Sequence, residues 1–464
     1  MLVNDVHSRL NETRVDRIVP VDSVEAVVRE VRAAGAEGRA VSIAGSRHAM
    51  GGQQFGTGMA LLDVQPMRRV LDFDAEAGTI TVEAGIEWPE VVAGCLEKEG
   101  DGSRWGIAQK QTGADRLSVG GSVSVNGHGR GLTMRPLIAD VESFTLVDAD
   151  GEVRTCSRRV EPEWFRLVLG GYGLFGVIAT VTLRLAPRRK LERVVEVIRA
   201  RELMPALDER IRDGFLYGDF QFSIDDRSAG FLDDGVFSCY RPVDPETPIP
   251  VEQRELSDAD WQELLWLAHT DKARAFERYA AHYLATSGQI YWSDTHQLTP
   301  YVDGYHEALD TRLGAGCVST EMITELYVPR PDLPAFLGDA AEQLRRCGAG
   351  VIYGTVRLIE RDGESVLAWA REPWACIVFN LCVEHTPAGK ERAAEAFRGL
   401  IDLALRRGGS YFLTYHRWAR RDQVEAGHPG LREVLRRKRE LDPHERFQSD
   451  WYRHYREMFA EDLL

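Results

Sequence analysis

Three turns poor in side chains carry the groups best suited to hold a phosphate. The first, VSIAGSRHAMGGQQ (41–54), runs from an apolar strand, Val41 to Ala44, into a turn with Gly45, Gly51 and Gly52, and sets Ser46, Arg47 and His48 among them. Glycine tolerates φ > 0 and has no side chain, so such backbone can wrap an anion with its own N–H donors. About seventy residues on, LSVGGSVSVNGHGRG (117–131) places Gly120, Gly121 and Ser122 ahead of Gly127, His128 and Gly129. The third turn, GGYGLFGVIATVTLRL, covers 170–185. Together they point to one large phosphate-bearing cofactor held by several loops. Gly171, Gly173 and Gly176 spell G-x-G-x-x-G, but the dinucleotide fingerprint needs a strand before it and a helix after it. Here EWFRLVL, with helical spacing, comes first and the β-branched run Val177 to Leu185 follows, so that reading is rejected.

A second set of polar groups lies on strands further along. In TEMITELYV, alternation puts Glu321, Ile323, Glu325 and Tyr327 on one face, which is either solvated or lines a polar pocket. In VIYGTVRLI it groups Thr355, Arg357 and Ile359 away from Val356 and Leu358. An arginine between apolar neighbours is costly to bury unless paired. Arg357 is therefore either a sheet arginine paired to Glu321 or Glu325, or a cation reserved for chemistry. In SYFLTYHRW, Tyr411, Leu413 and Tyr415 oppose Phe412, Thr414 and His416, so only one of Tyr415 and His416 can reach a given site.

The elements that must position these groups follow from the pattern. Residues 23–34 read as a surface helix with Ser23 as N-cap. Met59 to Val64, Val70 to Phe73 and Thr79 to Ala84 read as strands, and the run from Gly85 to Gly100 as a helix with Pro89 in its first turn. Residues 103–116 read as a loop, and DVESFTLVDADGEVRTCS as a hairpin. Beyond Arg188, strands at 320–328, 351–359, 376–384 and 411–416 with helices at 332–346 and 388–407 give β-α-β-β-α-β, a mainly antiparallel sheet with helices on one face. Ser257 to Ser287 is a helical insertion, followed by a loop or lid, IYWSDTHQLTPYVDGYH. HPGLREVLRRKRELDP reads as a helix whose basic face is solvated.

A chain of 464 residues has room for two domains with sizeable cores. Its net charge of −15 argues against nucleic acid or an anionic membrane as partner. The seven cysteines are scattered without CxxC spacing, which predicts reduced thiols and no zinc site. Asp5, Arg9 and Glu12 stand where a signal peptide needs an apolar core, so a cytoplasmic protein is expected.

The strand, the GSRH turn, the VGGSVSVNGHG segment and the strand after a G-x-x-G turn, in that order, resemble the FAD-binding domain of the vanillyl-alcohol oxidase / p-cresol methylhydroxylase (PCMH-type) flavoproteins. The likeness covers residues 10–187, returns in LDPHERFQSDWY, and is nearest the alditol and aldonolactone oxidase branch. It implies an α+β fold: a two-lobed FAD-binding domain over 1–187, an antiparallel-sheet substrate domain over 188–420, and a C-terminal segment, 421–464, returning to the first. It also implies FAD contacts from Ala44, Gly45, Ser46, Arg47, His48, Ala49, Gly51 and Gly52 in the first loop. The second loop would supply Gly113, Leu117, Ser118, Gly120, Gly121, Ser122, Asn126, Gly127, His128 and Gly129, and the third Gly173, Gly176, Val177 and Ile178. Similar oxidases carry, at the place of His48, the histidine bonded covalently to the flavin.

Oxidising an alcohol on a flavin needs something to take or polarise the hydroxyl proton, and benefits from positive charge near the reduced ring. Arg357 is the leading candidate for the charge; Glu321, Glu325, Tyr415 and His416 are candidates for the proton. The alditol oxidases carry Glu-x-Arg on the middle strand and a lysine in the last one. This chain has Thr355-Val356-Arg357 and, after Gly408-Gly409, a tyrosine-rich strand without lysine. A simple polyol is therefore in doubt, and Tyr291, Trp292, Tyr301, Tyr411 and Tyr415 suit a larger or ring-containing molecule or else belong to the core. The expected activity is an FAD oxidase or dehydrogenase acting on a small molecule with a C–OH or C–NH group, passing electrons to dioxygen or another acceptor. The alternatives are an NADPH-dependent reductase of a C=C bond and a flavin-binding protein without chemistry.

Overall fold

A computed structural model describes residues 1–299 and 304–463, so Tyr301 and the centre of the expected lid lie outside the described residues. Near the N-terminus, strands Arg17–Pro20 and Val41–Ala44 flank Ala60–Asp63 in a parallel sheet. Helix Val24–Ala36 packs Ala26, Val27, Val31 and Ala34 against it, and Ser23 Oγ accepts from Ala26 N to close its first turn. A second sheet runs Val153–Ser157, Val141–Val147, Val177–Pro187, Thr79–Glu83, Val70–Asp74, all antiparallel. The expected loop 103–116 is not wholly irregular, because Trp105–Ile107 pairs with the far end of the long strand Val177–Pro187. That strand follows helix Pro162–Val168 and a turn through Gly173 and Gly176, the reverse of a dinucleotide fold.

The rest of the chain is built on eight antiparallel strands in the order Ile290–Trp292, Lys190–Arg199, Asp234–Pro242, Tyr217–Phe222, Val351–Ile359, Trp374–Glu384, Ser319–Pro329, Ser410–Tyr411. Helices Ala200–Arg212, Leu333–Cys347 and Pro387–Leu405 cover one face, over Phe237, Val356, Ile377 and Leu326. Helices do not stay on that face alone. Ala280 of helix Lys272–Ala285 packs on Val195 and Val236, the neighbours of which point the other way. The reason is legible in burial: Phe220, Phe222, Val236, Phe237 and Tyr240 are buried on both sides of their strands, so both sides need cover.

Three further expectations are corrected. The last strand stops at Tyr411; Phe412 N still donates to Glu325 O, then the chain turns away so that Thr414 O accepts from Gln53 Nε2. The IYWSDTHQLTPYVDGYH segment is not all loop, since Ile290–Trp292 is the sheet edge and Tyr305 opens helix Tyr305–Leu313. Helix Leu431–Leu441 does not expose its whole basic face either: Lys438 is fully buried, ion-paired to Asp442. The segment after it returns to the first strand, where Val41 N donates to Arg446 O and Gln448 N to Val41 O. All seven cysteines are free, and no helix is long and apolar enough to cross a membrane among the described residues.

Candidate cofactor and active site

Residues from all three glycine turns line one continuous space. A cavity of about 750 Å³ lies between Ile43 and Gly45 of the first, Gly120 and Gly121 of the second, Gly173, Gly176 and Ile178 of the third, and Gln448 and Ser449. Through Gly45, Ala49, Gln54, Gly121 and Val125 it joins a second cavity of about 740 Å³, walled by Ser46, Arg47, His48, Gly113, Leu117, Ser118 and Ser122. This second space meets the large sheet at Ile323 and Tyr415. There it joins a third cavity of about 910 Å³ through His7, Thr112, Gly113, Ile323 and Tyr415. Trp261, Leu265, Tyr305, Tyr353, Arg357, Val378 and Asn380 complete the third.

The loops are held in conformations that ordinary residues avoid. Arg47 (φ 60°), Asn126 (φ 50°) and Tyr172 (φ 54°) are left-handed, one in each turn, and such strain gathers where a ligand is clamped. Among the described residues, the backbone N–H groups of Ser46, Arg47 and Ala49 donate to no protein acceptor. A Cβ on Gly45 would collide with Ser118 Oγ, and one on Gly121 would come within 3.0 Å of the same atom. Free donors beside a strand end and a glycine-lined approach fit a phosphate-bearing ligand.

Not every expected contact lines this space. Ala44 and Val177 are buried in the adjoining cores. Gly51 and Gly52 pack on Thr414 and Arg417. Asn126 braces the turn, its Oδ1 accepting from Ile138 N and its Nδ2 donating to Asp362. Gly127 and Gly129 stand against Gln111 and Gln109, whose Oε1 atoms accept from His128 N and Gly129 N. Arg47 and Ser122 do line it but commit their side-chain groups elsewhere: the Arg47 guanidinium turns to Asp63 at 3.1 Å, and Ser122 Oγ accepts from Trp88 Nε1 while donating to Ser118 O. The glutamines were missed in sequence because glutamine in a loop carries no pattern.

The polar groups of the sheet divide into two clusters and one isolated cation. Glu325 is buried and accepts from His128 Nε2 at 2.7 Å, Tyr327 OH at 2.6 Å, Cys376 Sγ at 3.2 Å and Tyr415 OH at 3.2 Å. Burial alone would raise its pKa; the His128 charge and hydrogen bonds from His128, Tyr327 and Cys376 outweigh it and bring the carboxyl down to about 2. His128 Nδ1 lies 2.9 Å from Gly129 O, so its ring is held between that carbonyl and the carboxylate. Glu321, the second carboxylate, pairs instead with His306 at 3.1 Å, His269 at 3.4 Å and Tyr305 OH. His416 points away from the cavities, stacked 4.7 Å from Phe397 with Nε2 3.2 Å from Thr324 Oγ1.

Arg357 pairs with neither Glu321 nor Glu325. Among the described residues no carboxylate lies within ion-pair distance; its Nη1 donates to Thr112 Oγ1 and its buried Nε has no partner. An uncompensated guanidinium thus faces the third cavity. His7, for which no sequence signal existed, lies where the second and third cavities meet, 2.8 Å from His48 Nδ1. Burial, partly opposed by Asp5, pushes its pKa down to about 4; burial and then the His7 and Arg116 charges push His48 down to about 3. Both imidazoles are neutral at pH 7.

Comparison with known proteins agrees with this geometry. Residues 15–157 match the family described as FAD binding domain, so this part of the chain is an FAD-binding domain and FAD is its cofactor. The relatives are oxidoreductases. An uncharacterized oxidoreductase, ORF5 in the fasciation locus of Rhodococcoides fascians, is 34% identical over 174 residues, 36% of this chain and 37% of that one. Cytokinin dehydrogenase 2 of Arabidopsis thaliana is 32% identical over 153 residues, 32% of this chain and 29% of that one. L-gulonolactone oxidase of Bos taurus is 28% identical over 191 residues, 41% of this chain and 42% of that one. The match spans less than half the length of each of these relatives.

Proposed function

We propose that the protein is an FAD-dependent oxidoreductase that takes a hydride from a carbon bearing a hydroxyl or amine on a small molecule and passes the electrons to dioxygen or another acceptor. One observation carries this reading: the glycine-walled space opens, at Tyr415 and Ile323, directly onto a cavity that holds an unpaired arginine. We read residues 1–187, with its parallel and antiparallel sheets, as the two-lobed FAD domain, 188–420 as the substrate domain and 421–464 as its return, in a cytoplasmic setting.

When bound, FAD supplies the two-electron acceptor. The chain's residues supply the rest. Arg357 offsets the negative charge that grows as the hydroxyl proton leaves and the electrons move. His7, neutral and at the junction, takes that proton. Tyr415 offers its hydroxyl to the same space while Glu325, anchored by His128, holds the ring in place. With FAD bound, Ser46, Arg47 and Ala49 would offer their free N–H groups to its phosphates, and His48 would be the residue to carry a covalent link to the flavin.

Anaerobic mixing decides the reaction class. Loss of oxidised-flavin absorbance on adding an alcohol or amine supports the proposal, whereas reduction by NADPH alone would assign a reductase. Acid precipitation of the native protein should leave the yellow colour in the pellet, and His48→Ala should release it; a colourless native pellet rules out the covalent bond.

A further inference from the structure

The third cavity does not end at Arg357. Trp261, Leu265, Tyr353 and Asn380 line it and also line a fourth cavity of about 780 Å³, between the sheet and the helical pair Asp258–Thr270 and Lys272–Ala285. The fourth cavity is walled by Phe222, Ile224, Leu264, Ala268, Phe276 and Ile352, and no charged residue lines it among the described residues. Polarity therefore runs in one direction along the joined space. At one end is the Arg357 cation and, between the two cavities, Asn380, whose Oδ1 is buried without a partner; at the other is a mostly apolar wall interrupted by Gln221 and Tyr279.

A substrate small enough to stop at Arg357 would leave that apolar space to water, the arrangement least favoured by hydrophobic transfer. Resting on the oxidoreductase reading above, we propose that the substrate is an elongated amphipathic alcohol or amine. Its oxidisable carbon and polar end lie between His7, Arg357 and Asn380, and its unbranched apolar tail runs under the two insertion helices. The helical insertion is then a substrate-length gauge as well as cover for the sheet, since Trp261 and Leu265 belong to both cavities.

The test separates tail binding from chemistry. The FAD-loaded enzyme is titrated anaerobically with butanol, hexanol, octanol and decanol, following both the shift of the flavin spectrum on binding and its bleaching on reduction. Kd is expected to fall about fourfold per added methylene, the gain for taking one CH₂ out of water, until the groove is full. Ala268→Trp should flatten the series by filling the groove, and Phe276→Ala should move the plateau to a longer chain; FAD content and circular dichroism confirm that each variant is folded. A wild-type Kd that does not fall with chain length, no binding by any member included, overturns the tail site. Chain-dependent binding without bleaching keeps the tail site and counts against the oxidoreductase reading for this donor class. Bleaching at a rate and Kd indifferent to chain length does the converse.

Discussion

Two charged side chains, on strands that flank Trp374–Glu384, should respond to mutation in opposite ways. Glu325 is the acceptor for four donors and is buried, so Glu325→Gln removes the carboxylate that His128, Tyr327, Cys376 and Tyr415 share; breaking such a buried network costs about 3–5 kcal/mol of stability. Denaturant unfolding of the FAD-loaded protein measures this, and a loss under 1 kcal/mol, about one small surface change, would show that the network is not an anchor. Arg357 has no carboxylate to lose, so Arg357→Ala should leave unfolding nearly unchanged while raising the barrier to flavin reduction by about 2–4 kcal/mol. Stopped-flow reduction at saturating substrate reads that barrier, and a wild-type rate would return Arg357 to a packing role. For His7, His7→Gln keeps a hydrogen-bonding side chain but removes the base. A rate loss of about 10²–10⁴ at unchanged FAD content is expected, and its absence would reassign the proton to another group.

At the scale of elements, the cofactor grip depends on how closely the first two turns approach each other. Gly45 and Ser118 are 73 positions apart in sequence, yet Ser118 N donates to Ser46 Oγ at 2.9 Å. Any side chain on Gly45 must push these turns apart. Gly45→Val is therefore expected to yield protein with normal secondary structure by circular dichroism but with most of its FAD missing after gel filtration. Full FAD retention would mean that the two turns do not share one ligand. The early end of the last strand acts at the same scale. Tyr415, which enters the cavity, and His416, which stacks on Phe397, are adjacent in sequence, and with the strand ended the chain swings Thr414 onto Gln53.

For the molecule as a whole, pH is the revealing variable. Burial, with lesser charge effects, holds His7 at about 4 and His48, His416 and His428 at about 3, against 6.5 in the unfolded chain. Below pH 6.5 the unfolded chain binds protons that the native one refuses, so stability is complete above that pH and is lost as pH falls toward the native values. Each histidine contributes up to about 1.4 kcal/mol per pH unit in that window. Glu325, depressed to about 2 from 4.5, adds a loss only below about pH 4.5. The melting temperature at fixed FAD saturation should thus begin to drop below pH 6.5, the loss being partly offset below about pH 6 by Asp140, whose carboxyl burial pushes up to about 6. A flat melting temperature from pH 7 down to 5 would mean these imidazoles are hydrated in solution.

What the amino-acid order by itself determined was local. The three glycine turns, the helix-then-strand order around Gly173 that excludes a dinucleotide fold, the N-cap at Ser23, and the faces of the strands carrying Glu325 and Arg357 all follow from short-range spacing, because φ/ψ preference and side-chain period act over a few residues. Only the tertiary structure decided which of those groups meet. It brought His128 to Glu325 across 197 positions, gave Glu321 to His306 and His269 instead, left Arg357 without a carboxylate, and set His7 at the junction of two cavities. It likewise buried Lys438 against Asp442 and put the insertion helices on the second face of the sheet. Partner choice between distant side chains depends on how whole elements pack, and packing is set by shape and volume across the entire core rather than by the identity of near neighbours in the chain.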